Sequence, residues 1–128
     1  MPDQKQTTME TRETQPITTA HIIFDSSLSL LPSGVRGIGQ DRHLLFVGPD
    51  LDIHLKIAPA DRHKEIYGQV IAHGQKEEPT NILLLGCEAP LETTPGPFGE
   101  FIFDEVPGGS LSLEIVLPSC RVTAAFDA

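Results

Sequence analysis

Strict alternation of apolar and polar residues is the feature that most constrains the fold of this chain. Across residues 51–57 every odd position is Leu or Ile, and every even position is Asp, His or Lys. Successive side chains of a strand point to opposite faces, so this period of two predicts a strand with one buried face and one solvated face. Residues 110–117 alternate in the same way and predict a second such strand, with Leu111, Leu113, Ile115 and Leu117 pointing inward.

Gly and Pro divide the rest of the chain into short segments. Turn sequences rich in these residues stand at 48–50, 74–79, 95–99 and 107–109. No segment of ten or more residues carries a helical apolar period with caps. Short strands that are separated at regular intervals by turns with Gly or Pro are typical of a sandwich. We therefore predict an all-β fold, an antiparallel β-sandwich of about seven strands.

The length of 128 residues suits one domain. Residues 1–18 are rich in Thr, Gln and Glu, which predicts a flexible, disordered N-terminal tail. Residues 19–40 combine apolar side chains with Pro and Gly breakers, which predicts an irregular apolar arm. We expect the sandwich domain to comprise residues 41–128.

The net charge and the distribution of apolar residues limit the partners and the cellular location that we expect for this chain. The net charge is −9, so nucleic acid and anionic membranes would repel the chain, and we expect neither as a partner. No apolar run approaches the ~20 residues of a membrane span. The first 16 residues lack the apolar stretch of a secretory signal, which predicts a cytoplasmic location and free thiols at Cys87 and Cys120.

Three motifs of the second half carry a family resemblance: Gly-Gln-Val at 68–70, Gly-Glu-Phe-Ile-Phe at 99–103 and Val-Pro-Gly-Gly at 106–109. With the apolar run at 82–85 and the alternating strand that follows, they resemble the carboxypeptidase regulatory-like domain. The resemblance spans residues 51–126 and implies a transthyretin-like (prealbumin-like), Ig-like β-sandwich. It implies no activity. In the second motif, the Gly before Glu100 permits a turn conformation that other residues resist, and we expect Phe101 and Phe103 to fill the core from one face. The family's usual acidic residue ahead of the turn is absent, because Thr-Pro-Gly-Pro-Phe occupies 94–98, so the resemblance implies no ligand there.

Residues 22–37 resemble a leader found ahead of such domains in uncharacterised bacterial proteins, some of them linked to sigma-factor regulation. This resemblance implies a bacterial, regulatory setting.

We predict no catalytic residues and no cofactor. Ser33 lies in a Gly-rich loop without the strand-to-helix elbow of a catalytic serine. Cys87 and Cys120, considered with His73, lack the basic neighbours that would activate a thiol, apart from Arg121. The glycines of residues 34–39 have the wrong spacing for a phosphate loop.

Asp52 and His54 are the candidate metal ligands. They lie two positions apart and share one face of a strand, so a third ligand from a neighbouring strand would complete a site. Lys56 continues the same face and disfavours a cation, so we interpret the face as solvated and predict no metal.

Apolar residues at positions that often face solvent are the candidate protein-interaction residues: Leu28, Leu30, Leu31 and Val35 on the arm, and Phe98 on the Pro-Gly turn. One interpretation is that they fold back and cap the sandwich. The other is that they dock another protein.

These patterns together predict a non-catalytic protein–protein interaction module, an adaptor or regulatory subunit in an intracellular bacterial assembly. Its acidic surface predicts a partner protein with a basic surface. The alternative is a small-ligand or carbohydrate-binding module, against which the absence of Trp and the single Tyr67 count.

Overall fold

The computed structural model describes residues 16–28, 41–59, 62–74 and 78–128. Within these ranges the chain forms ten strands and one short 3₁₀ turn, Ser26–Leu28. The strands are β1 Ile17–Thr19, β2 His21–Asp25, β3 Arg42–Val47, β4 Leu51–Pro59, β5 Lys64–Ala72, β6 Asn81–Leu85, β7 Leu91–Thr93, β8 Glu100–Val106, β9 Ser110–Val116 and β10 Arg121–Asp127.

The strands form two five-stranded sheets. Sheet 1 has the order β1-β10-β9-β6-β7, and sheet 2 has the order β2-β3-β4-β5-β8. Every pairing is antiparallel except that of β1 with β10, which is parallel. The all-β sandwich is therefore confirmed, although the described residues form ten strands rather than about seven.

Short edge strands account for part of this difference. β1 and β7 have three residues each and contain mostly Thr and Glu, so they carry no alternating apolar pattern. β1 pairs with β10 and β2 pairs with β3, so the sheets begin at Ile17 and not at residue 41. The rest of the predicted tail and arm lies outside the described residues, at positions 1–15 and 29–40.

The core is one apolar cluster to which both sheets contribute. The alternation predicted for β4 and for the segment that begins with β9 is confirmed, because all eight of their inward-facing Leu and Ile side chains are buried. Phe46 of sheet 2 packs edge-to-face on Phe126 of sheet 1, with ring centroids 6.3 Å apart. Phe101 and Phe103 of β8 form a second edge-to-face pair at 5.9 Å, so both plug the core as their motif predicts.

Arg42 connects the two sheets at one end of the sandwich. Its Nε and Nη2 atoms donate to the two carboxylate oxygens of Asp25, at 3.0 and 2.7 Å. Its Nη1 atom donates to the main-chain carbonyl of Asp127 on β10. One guanidinium therefore joins β2, β3 and β10.

Candidate protein-interaction surface

Exposed large apolar side chains belong mainly to one of the two sheets. The described residues include seven of them, and six belong to sheet 2 or to the loop that enters it. The six are Ile22, Ile23 and Phe24 on β2, Ile71 on β5, Ile102 on β8, and Phe98 in the loop before β8. The seventh, Ile17, is on β1 of sheet 1. Sheet 2 therefore carries most of the exposed apolar side chains of the described residues and is the candidate for a binding surface.

Strand register sets the order of side chains on the outer face of sheet 2. One row runs across the sheet from Phe24 through Leu45, His54 and Gln69 to Glu100. The adjacent row runs from His43 through Lys56 and Tyr67 to Ile102. A shallow depression of about 230 Å³ lies where the two rows meet, and His43, His54, Lys56, Tyr67 and Gln69 are among the residues that line it.

The polar groups in this depression hold one another in place. The ammonium of Lys56 lies 4.8 Å from the ring centroid of Tyr67, a cation–π contact. The Tyr67 hydroxyl donates to Oε1 of Glu65 at 2.8 Å, and this hydrogen bond raises the pKa of Tyr67 because it stabilises the protonated phenol. Lys56 also lies 3.8 Å from a carboxylate oxygen of Asp41. The ring face of Tyr67 is thus occupied by a side chain of the protein itself.

A groove lies at the end of β5, beside the loop that carries Phe98. Its volume is about 280 Å³, and its apolar lining includes Ile71, Pro79, Pro97 and Phe98. Among the residues that line it, Glu78 is the only charged one. Phe98 is 74% exposed, the largest fraction among the exposed apolar side chains named above.

Local hydrogen bonds fix the loop that presents Phe98. The main-chain N–H of Phe98 donates to Oε1 of Glu100 at 2.9 Å, and its carbonyl accepts from Nε2 of Gln69 at 3.0 Å. The carbonyl of Gly99 accepts from the N–H of Val70 at 2.9 Å. Gly99 has φ 78°, and a Cβ there would lie 2.3 Å from the Val70 carbonyl oxygen, so this close approach requires glycine, as the motif predicts.

The residues predicted for protein interaction divide between described and undescribed segments. Phe98 lies at the groove and is exposed. Leu28 ends the 3₁₀ turn, but its side chain lies outside the described part of the structure. Leu30, Leu31 and Val35 also lie outside the described residues, so both interpretations of the arm stay predictions.

Asp52 and His54 share the outer face of β4 as predicted, but they have different surroundings. The carboxylate of Asp52 is hydrogen-bonded to Nε2 of His73 at 2.9 Å, whereas His54 lines the depression. Within the described ranges, no group of three or more His, Cys, Asp and Glu side chains is arranged to hold a metal. The structure therefore gives these two candidates no third ligand among the residues that it describes.

The candidates for nucleophilic chemistry are also dispersed. Ser33 lies outside the described residues. Cys87 and Cys120 are free thiols, partly buried against the core. The imidazole of His73, considered as their base, is instead hydrogen-bonded to Asp52.

Five of the exposed apolar residues were not predicted as interaction residues: Ile22, Ile23, Phe24, Ile71 and Ile102. A signal for Ile102 was present, because it stands between Phe101 and Phe103 and must point to the opposite face. For β2 no such signal exists, because a β-bulge interrupts the pairing between Ile22 and Phe24 and breaks the alternation.

No family model, curated protein or solved structure matches the chain. None of the described residues form a helix with the length and hydropathy of a membrane span.

Proposed function

We propose that this protein is a non-catalytic protein–protein interaction module, an adaptor or regulatory subunit of a cytoplasmic bacterial assembly. The observation that carries the proposal is the concentration of exposed apolar side chains on sheet 2 and on the loop before β8. β2 and β8 are the two edges of sheet 2, so these side chains form one group on β2 and another around β5, β8 and the loop before β8. Exposed apolar side chains lower the free energy of a complex when a partner covers them. The resemblance to carboxypeptidase regulatory-like domains supports a scaffold role, and the resemblance of residues 22–37 supports a link to sigma-factor or signalling regulation.

The partner that fits this surface is a protein with a basic surface. Asp and Glu outnumber Lys and Arg by eighteen to nine in the whole chain. On β8 the exposed Glu100 and Asp104 stand on either side of Ile102 and alternate with the buried Phe101 and Phe103, so both carboxylates share the outer face with Ile102. Carboxylates around an apolar contact steer and orient a cationic partner more than they add affinity.

A small-ligand or carbohydrate-binding module is the alternative, and the depression on sheet 2 is the feature that favours it. A sugar would stack on an exposed aromatic face. Tyr67 is the aromatic residue of the depression, and Lys56 lies over its ring. A sugar would have to displace Lys56, so the interaction module is the better supported function.

The test is a pull-down of the tagged full-length protein from its native host with three matched proteins: the wild type, a variant with Phe98→Asp and Ile102→Asp, and a control with Ile17→Asp. All three substituted residues are exposed, and Ile17 is on sheet 1, so circular dichroism should show the same fold in each protein. We expect one stoichiometric partner with the wild type and with the control, and its loss with the sheet 2 variant.

A partner that still binds the sheet 2 variant would place the contact elsewhere and overturn the proposed surface. If the wild type captures no partner and thermal shifts identify a sugar or metabolite, the alternative function replaces the proposal.

A further inference from the structure

Strand β8 stops short of the end of β5. The ladder between them runs as far as the pair Gln69 and Glu100, and the hydrogen bond from Val70 to Gly99 is the next contact along it. On its other side β5 continues to Ala72, which pairs with Leu51 of β4. Among the described strands, none lies beside Ala72 on the side where β8 ends.

The main chain of Ala72 presents hydrogen-bonding groups on that side. In a strand, the N–H and C=O of one residue point to the same side and those of the next residue point to the other. The N–H of Val70 points toward the β8 side, because it donates to Gly99. Ala72 is two residues further on, so its N–H and C=O point the same way, into the groove that Ala72 helps to line.

The residues that line the groove indicate which kind of ligand would pair with the main chain of Ala72 on this side. Its walls are apolar at Ile71, Pro79, Pro97 and Phe98, so they favour an aliphatic or aromatic side chain. Its charged lining residue is Glu78, and the exposed Glu100 lies at the base of the loop that carries Phe98. Both charges are negative and favour a cation in the ligand.

We propose that this groove binds a short extended segment of the partner protein, in which an apolar residue adjoins Lys or Arg. The segment pairs with the main chain of Ala72, its apolar side chain packs on Phe98 and Ile71, and its cation lies beside Glu78. This mode of binding is strand addition over one or two residues, with side-chain pockets that provide specificity. The inference rests on the proposed function, because it names the element of the partner that sheet 2 receives.

The size of the groove sets the expected affinity. A volume of about 280 Å³ accommodates one or two side chains, less than a typical drug-sized pocket. An isolated peptide should therefore bind weakly, with a Kd of about 10–500 µM, and tighter binding would need the rest of the partner.

The probe is an array of fluorescein-labelled octapeptides, each with Leu or Phe next to Arg, and a matched array in which Glu replaces Arg. Binding to the full-length protein is measured by fluorescence polarisation, and the contact is located by amide chemical shifts. We expect members of the Arg array to bind at least about tenfold more tightly than their Glu counterparts. We also expect the amide of Ala72 to be among those that shift most.

Two variants test the named contacts. Glu78→Lys should reverse the preference between the arrays, whereas Glu88→Lys, an exposed charge reversal in the turn after β6, should leave it unchanged. Phe98→Ala should weaken binding of the Arg array about fivefold or more.

Failure of the groove is distinguishable from failure of the proposed function. If no peptide binds, if Glu78→Lys leaves the preference unchanged, or if the shifts map away from β5, the groove proposal is wrong. Loss of the partner in the Phe98→Asp and Ile102→Asp pull-down would then still support an interaction module that uses sheet 2. If the partner also remains bound to the variant with Phe98→Asp and Ile102→Asp, the groove proposal and the proposed sheet 2 surface are both wrong.

Discussion

Arg42 and Asp25 form a bidentate ion pair that ties β3 to the end of β2. Two parallel N–H···O contacts of 3.0 and 2.7 Å join them, and the side chain of Asp25 is only 8% exposed. The hydrogen bond from Arg42 holds the pKa of Asp25 well below its usual value, against the opposing effect of partial burial, and the hydroxyl and N–H of Ser27 lower it further.

This pair predicts a specific dependence of stability on pH. A carboxyl group with a depressed folded-state pKa stabilises the fold above its unfolded pKa of about 3.9, and this contribution is lost as the pH falls toward the folded value. Asp25→Asn should therefore cost about 1–3 kcal/mol of unfolding free energy at pH 7. The difference from the wild type should stay constant above about pH 5 and shrink below about pH 4.

Urea denaturation at several pH values measures this difference. Asp104→Asn on β8 is the control, because Asp104 is exposed. A difference between Asp25→Asn and the wild type that persists unchanged into acid would contradict the assigned role of the ion pair.

The pKa of Tyr67 should lie above the ordinary value of a tyrosine side chain. Its hydroxyl donates to Glu65, and this hydrogen bond, followed by the negative charge of Glu65, raises the pKa of Tyr67. The chain contains one Tyr and no Trp, so the ultraviolet absorbance of tyrosinate reports this residue alone. Glu65→Gln should lower the pKa of Tyr67 toward its ordinary value, and Glu88→Gln should not. Equal titration curves for the wild type and Glu65→Gln would show that the hydrogen bond is absent in solution.

Gly68 and Phe101 should behave as a coupled pair. The ring of Phe101 covers Gly68 so closely that a Cβ there would lie 2.1 Å from the ring Cζ. Gly68→Ala should therefore cost about 1–3 kcal/mol by overpacking. Phe101→Leu removes part of the obstruction, so the double variant should be more stable than the sum of the two single effects implies, by about 1 kcal/mol. Chemical denaturation of the four proteins gives this coupling energy, and strict additivity would refute the contact.

Adjacent residues of β8 should differ sharply in their tolerance of substitution. Phe103 is 4% exposed in the core, whereas Ile102 is 53% exposed on the outer face. Phe103→Ala should cost about 3–5 kcal/mol, because it leaves a cavity. Ile102→Ala should change the unfolding free energy by less than about 0.5 kcal/mol. Thermal unfolding followed by circular dichroism separates the two, and a large loss for Ile102→Ala would mean that its side chain is covered in the folded state.

The sequence predicted those features that depend on neighbouring residues. Alternation in β4 and in the segment that begins with β9 located two inward faces, and the Gly-Glu-Phe-Ile-Phe motif located Gly99 and the two core phenylalanines. Such patterns are local, so one face of a strand can be assigned without knowledge of its neighbours.

Features that join distant parts of the chain were not predicted. Arg42 contacts Asp25 and the carbonyl of Asp127, which are 17 and 85 positions away. The hydrogen bond between Asp52 and His73 depends on the register of β4 with β5, and the groove depends on where β8 stops. The local pattern of apolar residues does not indicate where one strand ends beside another. The groove therefore could not be predicted without knowledge of the strand register.

The parallel pairing of β1 with β10 affects the order in which the protein assembles during synthesis. Thr18 and the Arg121 carbonyl that its hydroxyl contacts are 103 positions apart, so the first strand emerges from the ribosome long before its neighbour exists. Closing so long a loop is entropically costly and slow. The pairing of β1 with β10 cannot form until synthesis has passed residue 121, and a released chain that ends before this residue lacks β10, which leaves one edge of β9 unpaired and prone to aggregation.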